Sequence, residues 1–114
     1  MASAIARLGT ARSAVEGDPA GAVSAAYYAC LYAARAALSE RDRHARTHRG
    51  TWHLFYEAFV VSGPFDAGLY GAASAMQPIR EAADYDAAAL EEEEAEALVG
   101  TAARFVEAVR AMLA

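Results

Sequence analysis

The feature that most limits this chain is an apolar stretch from about Ala20 to Ser39. Val23, Tyr27, Cys30, Leu31, Ala34 and Leu38 recur there at three- and four-residue steps. That period belongs to an α-helix with one deeply buried face, because strand side chains alternate instead. Alanine fills most of the other positions. It costs least in a helix interior and lets neighbouring helices approach closely. Hydrophobic residues make up 56% of the 114, enough for one core without staples. A single domain over residues 1–114 is expected.

The rest of the chain reads the same way. A first helix runs from about Ala2 to Glu16, with Ile5, Leu8, Arg12 and Val15 as its stripe. Gly17-Asp18-Pro19 stops it. Glu40 to Gly50 contains no apolar residue except Ala45 and reads as a polar loop. A third helix, about Thr51 to Val61, carries Trp52, Phe55, Tyr56, Phe59 and Val60, with Thr51 as its cap. Ser62-Gly63-Pro64 ends it. Asp66 caps a fourth helix bearing Leu69, Tyr70, Ala73 and Met76, which Pro78 kinks just ahead of Arg80. A fifth helix, about Leu90 to Leu113, buries Leu90, Leu98, Val99, Phe105, Val106, Val109 and Met112. Its early glutamates suit the positive end of the helix dipole. There is no internal repeat and no strand pattern. The expected class is all-α, an up-and-down four-helix bundle with a short additional helix.

Composition then narrows the function. No window holds about 18 uninterrupted apolar residues, so no membrane span is expected. The amino terminus lacks a basic segment followed by an apolar run, which argues against secretion. The single cysteine, Cys30, lies on the buried stripe and has no partner, which fits a reducing cytoplasm. The net charge of −5 conceals a segregation. Arg35, Arg41, Arg43, Arg46 and Arg49 crowd one region with His44, His48 and His53. Glu81, Asp84, Asp86, Glu91, Glu92, Glu93, Glu94 and Glu96 follow with no base among them. The first region suits a phosphate and the second repels it, while the overall acidity argues against broad binding to duplex DNA.

No glycine-rich phosphate loop, paired-cysteine motif or His-Glu-x-x-His pair is present. His44, His48 and His53 are spaced for a metal, but the surrounding arginines disfavour a cation, so no metal and no cofactor are expected. Two segments carry more. In Arg46-Thr47-His48-Arg49-Gly50, donors stand where a loop enters a helix, a natural anion site; a solvated basic loop is the plainer alternative. In Arg80-Glu81-Ala82-Ala83-Asp84-Tyr85, Arg80 and Asp84 share a helix face one turn apart. Their pairing fixes the guanidinium while leaving donors for a phosphate, or forms only a surface ion pair. Tyr28 and Tyr32 share a face near Arg35. Buried tyrosine hydroxyls in this group need partners, and Arg80 or Asp84 would serve. For Tyr27, core packing is the default.

Together these segments resemble one family. Ala22-Val23-Ser24-Ala25-Ala26-Tyr27-Tyr28-Ala29, with Ala33-Ala34-Arg35-Ala36-Ala37-Leu38, resembles the second helix of HEPN proteins. The Arg46-Thr47-His48-Arg49-Gly50 turn before Leu54-Phe55, then Phe59-Val60 and a glycine, resembles the next block. Arg80 with Ala83-Asp84-Tyr85 resembles a third, and Glu93 to Leu113 the closing helix. The resemblance implies a helical bundle pairing as a homodimer in the cytoplasm. It implies a place in a prokaryotic toxin–antitoxin pair beside a minimal nucleotidyltransferase, and metal-independent cleavage of RNA. The ribose 2′-hydroxyl would attack the phosphate, a histidine would move the proton and an arginine would steady the phosphorane. The partner would neutralise the toxin by binding it or by attaching AMP to a tyrosine.

The chain departs from the nuclease pattern where it matters. That pattern has a histidine shortly after the arginine, but the matching positions after Arg80 hold Tyr85, Asp86 and Ala87. Arg43 to His48 and Arg46 to His53 meet the bare interval. Two readings stay open. In the first, Arg80, His48, Asp84 and Tyr85 form an RNA-cleaving site, with Arg46, Arg49, Arg80 and Tyr28 holding phosphate and Tyr85 open to modification. Cleavage would then fall below about pH 6 as neutral His48 is lost. In the second, the chain is a non-catalytic nucleotide- or partner-binding module that regulates the nucleotidyltransferase. An orphan helical dimer whose motifs only pack is the plainest case.

Overall fold

The computed structural model describes residues 1–114, and it is helical throughout with no strand. Six α-helices follow one another: α1 (Ala2–Ala14), α2 (Pro19–Glu40), α3 (His48–Phe55), α4 (Ala67–Ser74), α5 (Met76–Tyr85) and α6 (Glu92–Leu113). A π-helical segment, Tyr56–Val61, prolongs α3, and a 3₁₀ turn, Ala87–Ala89, leads towards α6. No helix is long and apolar enough to cross a membrane.

Helix α2 is the axis, packing against α1, α6, α3, α4 and α5. Its start is fixed locally. Asp18 caps it by accepting the Gly21 N–H at 3.0 Å, and Pro19 opens it with a preset φ and no donor to waste. Its buried residues include Ala22, Ala25, Ala26, Ala29, Ala33, Ala34 and Ala37. Those small side chains let α1, through Ala4, Leu8 and Ala11, and α6, through Ala95, Val99 and Ala102, lie close. The end of α2 is a Schellman turn. Arg43 N–H reaches the Leu38 carbonyl and Asp42 N–H the Ser39 carbonyl, both at 2.9 Å. Asp42 takes the left-handed conformation there, with φ 54°.

Several boundaries differ from the periodicity reading. Ile5 is exposed, so the buried stripe of α1 is Ala4, Leu8 and Ala11. Helix α3 begins at His48 and not at Thr51; Thr47 caps it by accepting the Gly50 N–H at 2.9 Å, while Thr51 is buried. Pro78 does not kink a continuous helix. The break falls earlier, at Ala75, and Pro78 sits in the first turn of α5, where a missing N–H costs nothing. Asp66 does cap α4, accepting the Leu69 N–H at 2.7 Å.

The second packing region is aromatic. Phe55 lies 4.9 Å from Phe59, 5.0 Å from Phe65 and 5.5 Å from Phe105 between ring centres, while Trp52 meets Phe105 at 5.7 Å. The turn after the π segment folds back tightly: a Cβ at Gly63 would stand 2.8 Å from the Phe59 carbonyl oxygen, so only glycine fits.

Candidate functional site

The polar centre of the molecule is Tyr27, a residue whose expected role was packing. Its ring is fully buried on α2, yet its hydroxyl meets three side chains. Trp52 Nε1–H donates to it at 3.2 Å, Gln77 Oε1 lies at 3.3 Å, and His48 Nδ1 at 3.1 Å. Arg80 and Asp84, the partners expected for the tyrosine hydroxyls, make none of these hydrogen bonds.

Gln77 Nε2–H donates to Glu81 Oε1 at 3.3 Å, which orients the amide with its oxygen towards Tyr27. The Tyr27 O–H therefore donates to Gln77 Oε1, and its oxygen accepts from Trp52 and His48. His48 then carries its proton on Nδ1, and Nε2, which makes no hydrogen bond within the chain, keeps a free lone pair. Burial pushes the Tyr27 phenol above its ordinary value, so it stays a neutral donor. The His48 imidazole is held below the usual histidine value, first by burial and then by the charges of Arg35 and Arg80, against a smaller opposing pull from Glu81. It is neutral at pH 7, as a proton acceptor must be.

Arg80 approaches the same tyrosines from α5. Its guanidinium carbon lies 5.6 Å from the Tyr27 ring centre and 5.5 Å from that of Tyr28. His48 lies 5.6 Å and 5.8 Å from the same two rings, centre to centre. Arg80 and His48 thus share one tyrosine pair within a single protomer. The Arg80 side chain is 17% exposed; Nη1 pairs with Asp84 Oδ2 at 3.1 Å, and Nε is buried without an acceptor. A buried donor left unmade costs about 1–3 kcal/mol. Arg7 of α1 lies over Tyr28 and Tyr32 at 5.7 and 5.6 Å, and Arg35 Nε–H donates to Thr51 Oγ1 at 3.4 Å. Three cations therefore gather round the tyrosines, with Asp84 and Glu81 as the nearby acids. Such a place favours an anion.

The other expected site residues lie apart. Tyr85 is 97% exposed as the last residue of α5. Arg46 is exposed and makes no hydrogen bond or ion pair. Arg49 points into a separate groove with His53, whose imidazole pairs with Glu57 one turn on. His44 is exposed beside Asp42 at 3.5 Å. No group of three or more histidine, cysteine, aspartate or glutamate side chains comes together as a metal cluster. Burial pushes the Cys30 thiol up to about 12, which makes it inert.

The HEPN domain family matches residues 1–112, and the chain belongs to it. Among curated proteins, it is similar to one from Methanocaldococcus jannaschii named "Putative toxin MJ0142". The two are 32% identical over 79 residues, covering 68% of this chain and 54% of that protein. The chain thus spans about half the length of the curated relative it matches. No solved structure matches it.

Proposed function

We propose that this chain is the HEPN component of a prokaryotic toxin–antitoxin pair and cleaves RNA without a metal. The observation that carries the reading is the convergence of Arg80 and His48 on one tyrosine pair. His48 Nε2 removes the proton from a ribose 2′-hydroxyl. The oxygen attacks the adjacent phosphorus, and the bond to the 5′-oxygen breaks. Arg80 stabilises the negative charge on the phosphorane, held in aim by Asp84 and by the rings of Tyr27 and Tyr28. The 5′-oxygen takes a proton from water, and the products are a 2′,3′-cyclic phosphate and a 5′-hydroxyl. Arg7 and Arg35 neutralise the neighbouring phosphates. Within this reading α1, α2, the broken α4–α5 run and α6 are the four arms of an up-and-down bundle, with α3 as the short extra helix. The active form is a cytoplasmic homodimer, and the cognate minimal nucleotidyltransferase is its partner. Exposed Tyr85 offers that partner a phenol to modify.

The test is incubation of the purified protein with RNA in the presence of a chelator, followed by end-group analysis. Cyclic phosphate ends should appear, and Arg80→Ala should lower the rate by about 10²–10³-fold, the effect of removing a pre-aimed stabilising donor. An unchanged rate in that variant removes Arg80 from the chemistry. A second reading has its own support: the positions after Arg80 that the nuclease pattern reserves for histidine hold Tyr85, Asp86 and Ala87. In it, the same cationic site binds nucleotide without cleavage, and the domain regulates its nucleotidyltransferase. Nucleotide binding with no cyclic phosphate at any protein concentration would select this reading.

A further inference from the structure

Beside the tyrosine pair runs a groove of about 480 Å³ that the chemistry above does not use. Two helical stripes form its walls. Arg49, Trp52, His53 and Tyr56 come from α3 and its π extension at spacings of three, one and three; Tyr70, Ser74 and Gln77 come from α4 and α5. Its aromatic content is high for so small a surface. Tyr56 is 42% exposed and lies 5.2 Å from the Tyr70 ring, whose hydroxyl donates to the Trp52 carbonyl at 3.1 Å. Arg49 supplies a planar cation, while Ser74 and His53 supply polar edges.

The groove and the cationic site share a wall. Trp52 and Gln77 line the groove with one edge, and with the other they reach Tyr27, whose hydroxyl also meets His48. One indole or one amide separates the two. We infer that this groove is a nucleobase pocket for the RNA held at Arg80 and His48, with the base stacked on Tyr56 beside Arg49. Aromatic faces stack any base, and single-stranded RNA offers its bases unstacked. The assignment rests on the proposed function for its ligand class but not on cleavage.

The test uses a 2′-O-methyl tetranucleotide, which lacks the attacking hydroxyl, and its abasic counterpart, which keeps every phosphate. The chain has a single tryptophan, Trp52, in the shared wall, so its fluorescence reports occupancy directly. The base-bearing strand should change Trp52 emission and bind about tenfold or more tighter than the abasic one. Tyr56→Ala should abolish that difference, and Tyr56→Phe, which keeps the stacking face, should retain it. Equal affinity of the wild-type chain for both strands, or base-dependent affinity unaffected by Tyr56→Ala, overturns the pocket. Absence of RNA cleavage with the base dependence intact would instead remove only the nuclease reading.

Discussion

Helices α1, α2 and α6 meet over small side chains, whereas the chain from His48 to Tyr85 is cut into short pieces that pack rings. Seven buried alanines of α2 allow backbones to approach there, and no ring is needed to fill the space. On the other side Trp52, Phe55 and Phe65 crowd against Phe105 of α6, with Phe59 against Phe55. The difference separates two tasks. Long regular helices make a close-packed scaffold, and the broken half turns its polar side chains inward, where Tyr27 meets them. Each half therefore has its own vulnerability, filled space in the first and lost volume or lost partners in the second.

The sharpest way to break the contrast is a pair of opposite substitutions. Phe105→Ala empties the aromatic side and should cost about 3–5 kcal/mol by chemical denaturation. Ala33→Leu, at a fully buried α2 position, overfills the alanine side and should cost about 1–3 kcal/mol through strain. If Ala33→Leu were neutral, helix contacts on that side would be looser than alanine packing requires. If Phe105→Ala were neutral, the ring cluster would not be a core.

The two halves were also unequally legible in the amino-acid sequence. Helix α2 could be read to within a residue or so, because Asp18 and Pro19 mark its start and a continuous stripe runs along it. The Arg80–Asp84 pair was readable too, since i,i+4 spacing is local. The early start of α3 hinged on the choice between Thr47 and Thr51 as cap, which both satisfy by type. The break at Ala75 left no mark of its own; Pro78 signalled trouble, but proline is comfortable in a first turn, so the chain restarts before it. The Tyr27 network was out of reach because it joins residues 21, 25 and 50 positions apart. Its one local clue is Gln77, one turn ahead of Glu81 on the face of α5 that also carries Arg80.

Tyr27→Phe sharpens the comparison at the site itself, since it removes one oxygen and no volume. It leaves the buried Trp52 N–H without an acceptor and should cost about 1–3 kcal/mol. It also frees the His48 proton from Nδ1, so the nitrogen-15 shifts of His48 should move from a single Nδ1–H form towards a mixture of tautomers. Persistence of one tautomer in the variant would show that something other than Tyr27 holds the ring.

The smallest expected effect concerns acid. Of the groups whose titration the fold shifts, Cys30 lies in α2 without a polar partner, whereas Tyr27, His48 and Tyr70 belong to the contacts of the broken half. Among these only His48 gains a charge on acidification. Its folded value lies below the unfolded one of about 6.5, so the unfolded chain binds the proton more readily. The neutral imidazole is fully compatible with the fold above that value. Stability falls as the pH drops from there towards the folded value, and the loss levels off below it. Amide protection, corrected for the intrinsic exchange rate at each pH, should therefore fall in α3 and α5 on acidification before it falls at the α1–α2 contact, and His48→Gln should remove most of that lead. If the chain cleaves RNA as proposed, the same depression would place the acid limb of that cleavage below the position of an ordinary imidazole. A uniform loss of protection across all helices, or an unaltered lead in His48→Gln, would show that the acid sensitivity is not seated at this imidazole.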